Sequence, residues 1–312
     1  MSTFAFVFPG QGSQSPGMLD AWGDHPVLRE TLQEASDALG QDVGQLIREG
    51  SKEELALTTN TQPVMLVAGI AAWRMWLAEG GAEPAMLAGH SLGEYSALVA
   101  AGALTLAQAA PLVRFRAAAM QEAVPVGTGA MAAILGLDAA TVRSVCEQCS
   151  RETGEVAEAV NFNDPTQTVI AGSKAGVEQA CAALKAAGAK RALPLPVSAP
   201  FHSSLMKPAA DKLQQKLAET AFATPRIPVV NNIDVAVQTE PEAIKEALYR
   251  QAFGPVRWVE CVQAIAARGA THIVECGPGK VLSGMSKRID DRLQTLAIYD
   301  PETLAAAKAA LA

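Results

Sequence analysis

A serine becomes a usable nucleophile when the chain lifts its hydroxyl clear of the backbone, and Gly89-His90-Ser91-Leu92-Gly93 has the composition to do that. A short apolar run, residues 84–88, leads into it, and an Ala/Leu-rich run, residues 94–101, leaves it. The serine is therefore expected on a strand-to-helix turn, a nucleophile elbow, with glycines two before and two after it removing Cβ atoms where the chain doubles back. Backbone N–H groups at the helix start, that of Leu92 among them, can meet a developing oxyanion. The chemistry this implies is acyl transfer through a serine ester. Five matching residues taken alone are equally compatible with an ordinary strand-to-helix turn.

A serine ester needs a base, and the chain has 4 histidines. His25 reads as a surface-loop residue, His272 opens a strand, and His90, inside the elbow, is expected to point away from Ser91. His202, in the loop Ala199-Pro200-Phe201-His202-Ser203-Ser204, is left as the candidate. Arg114 and Arg116 lie two apart in a helical pattern over residues 106–124, so one faces solvent and the other the interior. An inward arginine needs an acceptor: a structural carboxylate or the substrate. The loop Pro9-Gly10-Gln11-Gly12-Ser13-Gln14 could aim backbone N–H groups at an anion or oxyanion, or could be a plain turn, and it lacks the ending of a phosphate loop. Gly277-Pro278-Gly279-Lys280 reads as an anion cradle or, equally, a tight turn. Cys146 and Cys149 form a C-x-x-C inside a helical pattern with no second pair, so they are read as incidental.

These residues need elements to hold them. The apolar run 4–8 reads as a buried strand, followed by amphipathic helices near 26–39 and 52–57. Thr61 is read as the N-cap of a helix with Pro63 in its first turn, running to about 79 and apolar on nearly every face, hence packed centrally. From residue 127 the pattern becomes strand 129–136, helix 138–152, strands 155–162 and 166–171, helix 173–187 and strand 190–197, a ferredoxin-like order. The C-terminal third alternates strand 227–231, helices 242–253 and 256–268, strand 271–276 and a helix to 289. The fold class expected is α/β: an α/β-hydrolase-like large subdomain with a parallel sheet and nucleophile elbow (1–126 and 198–312), plus an inserted ferredoxin-like small subdomain (127–197). A cleft between the two is the default place for a substrate.

Composition sets the outer bounds. At 312 residues, 49% hydrophobic and 18% charged, the chain can bury a large core and is too apolar for disorder. A net charge of −7 leaves no general basic surface for nucleic acid, and 5 scattered cysteines fit a reducing compartment better than a disulfide framework. The start of the chain lacks a basic n-region and no run is long enough to span a bilayer, so a cytoplasmic location, with no membrane partner, is expected.

Taken in order, Phe8-Pro9-Gly10-Gln11-Gly12-Ser13-Gln14, Gly89-His90-Ser91-Leu92-Gly93-Glu94, Arg116 placed 25 residues after the serine, Val160-Asn161-Phe162-Asn163, Pro200-Phe201-His202 and Glu275-Cys276-Gly277-Pro278-Gly279-Lys280 make the sequence resemble the malonyl-CoA:acyl carrier protein transacylases, from residue 4 to about 289. The resemblance implies a ping-pong transfer of malonyl from malonyl-CoA to the phosphopantetheine thiol of acyl carrier protein, with no cofactor and no metal. Ser91 would be the nucleophile and His202 the base, with a carbonyl of Gln251 orienting His202. The backbone N–H groups of Gln11 and Leu92 would form the oxyanion hole, and Arg116 would hold the malonyl carboxylate. Asn161 and Asn163 would contact the substrate. Phe201 and Leu92 match the malonyl-preferring pattern, while Ala117 stands where relatives often carry glycine. Because the carrier protein is acidic, local basic patches at Lys190-Arg191 and Lys287-Arg288 are proposed to dock it, unless these are plain solvated charges. A monomer is expected. The rival readings are the malonyl-transferring subunit of a malonate decarboxylase, a serine thioesterase on the same elbow, and a non-catalytic scaffold.

Overall fold

A computed structural model describes residues 3–197 and 199–312; Met1, Ser2 and the boundary residue Ser198 lie outside the described residues. The chain opens with β1 (Phe4–Phe8), whose five side chains are all buried, as expected of a strand covered on both faces of a parallel sheet. Helices α1 (Pro26–Leu39), α2 (Val43–Glu49), α3 (Lys52–Ala56) and α4 (Thr58–Ala78) lead to β2 (Met86–Gly89), α5 (Gly93–Ala100) and α6 (Leu106–Glu122). Next come β3 (Gly129–Leu135), α7 (Ala139–Thr153), β4 (Ala157–Asp164), β5 (Gln167–Ser173), α8 (Lys174–Ala186) and β6 (Arg191–Pro194). The remainder is α9 (Lys207–Glu219), β7 (Val229–Val230), α10 (Pro241–Phe253), α11 (Trp258–Ala267), β8 (His272–Cys276), α12 (Val281–Ile289), β9 (Gln294–Ile298) and α13 (Pro301–Leu311).

Two sheets result. The larger runs β7-β2-β1-β8-β9 with every pairing parallel. The smaller, β4-β5-β3-β6, is antiparallel, and its strand-helix-strand-strand-helix-strand connectivity is the ferredoxin-like order read from the sequence. Helices α7 and α8 cover it through a core of its own that includes Val142, Cys146, Ile170, Val177 and Leu184. The main core lies between the large sheet and α4, which is buried along nearly its whole length. The two sheets are tied where β4 runs beside the segment before α11: Phe162 N–H donates to Val256 O (3.0 Å) and Val256 N–H to Val160 O (2.8 Å).

Several boundaries differ from the sequence reading for physical reasons. Helix α4 begins at Thr58, not after Thr61. The Thr61 hydroxyl does not cap; it turns back to the carbonyls of Leu55 (2.5 Å) and Leu57 (3.0 Å) and is wholly buried. Pro63 therefore sits inside the helix. Strands β4 and β5 continue through Asp164 and from Gln167, tightening the turn expected at 163–165. Helix α2, capped by Asp42, and the closing pair β9 and α13 were not anticipated.

Candidate functional site

The elbow forms where β2 meets α5. Ser91 has φ +53°, a left-handed conformation that a non-glycine residue adopts only when its surroundings hold it there. The flanking glycines show why. A Cβ on Gly89 would lie 1.9 Å from the backbone C and O of Gly93, and one on Gly93 would lie 2.0 Å from Phe8 O, on the adjacent strand. The turn is pinned from outside by Asn232: its Oδ1 accepts from Ser91 N–H (2.7 Å) and its Nδ2 donates to Gly89 O (2.7 Å).

Ser91 Oγ lies 2.6 Å from His202 Nε2, and His202 Nδ1 lies 2.9 Å from the main-chain oxygen of Gln251. A carbonyl only accepts, so Nδ1 carries the proton and Nε2 presents its lone pair to the serine hydroxyl. His202 also has a positive φ, +68°, and is 4% exposed. Burial, reinforced by the Arg116 charge, lowers its pKa to about 3, so the ring is neutral at physiological pH. Among the two carbonyls of Gln251, the backbone one orients the histidine, and the side chain has a separate task.

Arg116, on α6, is 1% exposed with its guanidinium beside the nucleophile. Its Nη1 donates to Gln62 Oε1 (2.8 Å), and its Nη2 donates to Gln251 Oε1 (3.2 Å) and to Ser91 Oγ (3.3 Å). The guanidinium also lies 5.6 Å from the centre of the Tyr95 ring. All its acceptors are neutral groups. A buried cation held only by amide and hydroxyl oxygens retains capacity for an anionic ligand. Arg114 points the other way, to Gln41 Oε1 (2.6 Å), as the spacing required.

Gln11, Ser91, Arg116, Asn161, Phe201 and His202 line one cavity of about 240 Å³ at the carboxyl ends of β1 and β2, where open α/β sheets place ligands. Leu92 follows the serine at the N-terminal end of α5, where helix N–H groups lack intrahelical partners. Asn161 is 8% exposed and its Oδ1 has no hydrogen-bond partner among the described residues. The His90 ring bonds Asn163 Oδ1 (2.8 Å) and rests against Trp258, which packs in one cluster with Met86 and Ala88 of β2, and the residue also borders the cavity. Asn163 is thereby engaged with His90.

The basic residues lie apart from the nucleophile. Lys190 and Arg191 are exposed where β6 begins, and Leu195 and Val197, further along the chain, line the cavity. Lys287 and Arg288 occupy the last turn of α12, whose first turns contribute Val281, Leu282 and Met285 to the cavity wall. Arg288 Nε donates to Asp164 Oδ2 (2.8 Å), so part of its charge is matched within the chain. At Gly277-Pro278-Gly279-Lys280 the anion reading loses ground, because the buried carboxylate of Glu275 already accepts from Ser283 N–H (2.8 Å) in the first turn of α12. Among the described residues no cluster of His, Cys, Asp and Glu could hold a metal, and no helix is long and apolar enough to cross a membrane.

Three residues of the site escaped the sequence reading: Gln62, Asn232 and Glu94. The signal for Gln62 and Glu94 is a polar side chain within a helix that is otherwise apolar on all sides; Asn232 carries no local signal beyond following a strand.

A parallel sheet bearing an elbow serine, a buried neutral histidine on its hydroxyl and a guanidinium in the same cavity defines an enzyme class: acyl transferases that carry the acyl group as a serine ester. Comparison with known proteins agrees. Residues 5–293 match the family model described as acyl transferase domain. The chain is 56% identical to the malonyl CoA-acyl carrier protein transacylase of Escherichia coli K12 over 98% of this chain and 99% of that one. It superposes with a TM-score of 0.96 on the crystal structure of an acyl-carrier-protein S-malonyltransferase from Burkholderia pseudomallei 1710b, at 65% identity, covering 98% and 99% of the two chains. It also superposes, with a TM-score of 0.97 at 51% identity over 99% of this chain and 100% of that one, on a malonyl-transacylase in complex with its type II PKS acyl-carrier protein. The chain belongs to the acyl transferase family and, within it, to the malonyl CoA-acyl carrier protein transacylases.

Proposed function

We infer that this protein transfers malonyl from malonyl-CoA to the phosphopantetheine thiol of acyl carrier protein through a malonyl ester on Ser91, supplying fatty acid synthesis. The observation that carries the reading is the chain of contacts Gln251 O, His202, Ser91 Oγ and Arg116, the last three lining one cavity. His202 Nε2 takes the Ser91 proton as Oγ attacks the thioester carbonyl. The oxyanion meets the N–H groups of Gln11 and Leu92, the carbon–sulfur bond breaks, and His202 returns the proton to the departing CoA thiolate. In the second half His202 takes the proton of the carrier's thiol, the thiolate attacks the ester, and the proton returns to Ser91 as the carbon–oxygen bond breaks. Throughout, Arg116 holds the malonyl carboxylate bidentately, a geometry lysine cannot copy. Phe201 limits room for a methyl branch, and Asn161 supplies an acceptor to the bound donor.

The division at 127–197 makes the cavity a cleft between two subdomains. Lys190-Arg191 and Lys287-Arg288 are the proposed docking charges for the acidic carrier. The protein acts in the cytoplasm, and as a monomer. The test is steady-state kinetics with malonyl-CoA and holo carrier protein. A serine ester released only to the thiol gives parallel double-reciprocal lines and, without carrier, no CoA release beyond one equivalent per enzyme. Steady CoA release in the absence of carrier would mean that water is the acceptor and would overturn the reading.

A further inference from the structure

Glu94 lies three residues after Ser91, is 2% exposed, and touches neither the cavity nor the nucleophile's hydroxyl. One oxygen of its carboxylate, Oε2, accepts both from Gln251 Nε2 (2.9 Å) and from Asn232 N–H (2.9 Å). Gln251 Nε2 donates its second hydrogen to Ser91 O (3.0 Å), while Gln251 Oε1 accepts from Arg116 Nη2 (3.2 Å). The carboxamide of Gln251 thus stands between a buried carboxylate and a buried guanidinium. The two ends of a carboxamide are nearly equal in shape, so only its neighbours' hydrogen-bonding sense decides which end faces which. Turned over, Gln251 would set its N–H₂ against the arginine's donors and its oxygen against the acceptors at Ser91 and Glu94.

We propose that Glu94 is a positioning residue for donor choice: by accepting from Gln251 Nε2 it fixes the carboxamide with its oxygen toward Arg116, and so holds the guanidinium where a donor's carboxylate is received. The inference rests on the reading of Arg116 as the malonyl-binding group. Through Asn232 the same carboxylate oxygen also braces the elbow, since Asn232 holds Ser91 N–H and Gly89 O. A fault confined to that brace would slow every acyl donor alike, whereas a fault in the Gln251 link falls on carboxylated donors.

The test compares kcat/KM for malonyl-CoA and acetyl-CoA in Glu94→Gln, Glu94→Asp, Glu94→Leu and Arg116→Ala, with folding checked by thermal melting. A glutamine carries an acceptor at the position of Oε2 and should keep the malonyl-to-acetyl ratio within about threefold. Aspartate keeps the charge but falls a methylene short, and leucine removes the acceptor. Both should lower the ratio roughly tenfold or more, and aspartate serves if leucine does not fold. Neither loss should occur on top of Gln251→Met, because the carboxamide through which Glu94 acts is then gone. Equal losses for the two donors, or an unchanged ratio in Glu94→Asp, would overturn the proposal. If Arg116→Ala itself leaves the ratio unchanged, the underlying reading of Arg116 fails instead.

Discussion

Replacing Arg116 by alanine separates what the serine machinery does from what the guanidinium adds. In the free protein Nη1 is spent on Gln62 and Nη2 on Gln251 and Ser91 Oγ, all neutral acceptors at 2.8 to 3.3 Å around a guanidinium residue that is only 1% exposed. A malonyl carboxylate would replace such contacts with two charge-assisted bonds, each worth about 1.5–3 kcal/mol. Losing both should cost about 3–6 kcal/mol in malonyl transfer, roughly two to four decades at about 1.36 kcal/mol each. Acetyl-CoA has no carboxylate and loses none of this. The assay is rapid-quench acylation with each donor, the quantity read being the ratio of kcat/KM values. Arg116→Lys should fall between, because an ammonium cannot span Gln62 and Gln251 as a fork. If the ratio stays within threefold of the native value in Arg116→Ala, the arginine is structural and the reasoning fails.

Other consequences follow from burial and charge. Burial raises the Glu94 carboxyl to about 7, opposed by its bonds from Gln251 and Asn232 and by Arg116, and aided by Asp234. Unfolded, it ionises at its ordinary value near 4.5, so from there up to about 7 the folded state holds the proton more tightly and stability falls as pH rises. The gap corresponds to at most about 3 kcal/mol, and Glu94→Gln should melt a few degrees above the native protein at pH 8 but not at pH 5. An equal difference at both pH values would contradict this. His202 has the opposite sign: unfolded it takes a proton below about 6.5, folded only near 3, so the fold loses stability as pH falls through that window. The ring resonances of His202 should therefore show no titration between pH 8 and 5, and a midpoint near 6.5 would refute its burial as described. Charge reversal at Lys287 and Arg288, on the helix that borders the cavity, should slow transfer to carrier protein at low salt and leave acylation by malonyl-CoA unchanged. Unchanged transfer would remove this pair from the docking surface.

The elbow was legible because its requirement is local: two backbone approaches of about 2 Å leave no room for a Cβ, and the glycines at 89 and 93 record that directly. The ferredoxin-like order was legible for a similar reason, since each of its strands and helices carries its own period and cap, as at Asp138 and Ser173. That one of Arg114 and Arg116 faces inward followed from their spacing, and the resemblance singled out Arg116. What could not be read was partnership across the chain. Asn232 reaches the elbow from 141 residues away, and Gln251 meets Ser91 from 160. Nothing in the local pattern of α10 marks Gln251; its part came from resemblance alone. Thr61 misled because a threonine two before a proline looks like a cap, whereas tertiary packing gave its hydroxyl to backbone carbonyls.

The central claim is that the acyl group rests on Ser91. Intact-protein mass after brief mixing with malonyl-CoA, followed by peptide mapping, tests it most directly. The account predicts one malonyl adduct on the peptide carrying Ser91, absent in Ser91→Ala and discharged when holo carrier protein is added. An adduct elsewhere, or undiminished transfer by Ser91→Ala, would contradict it.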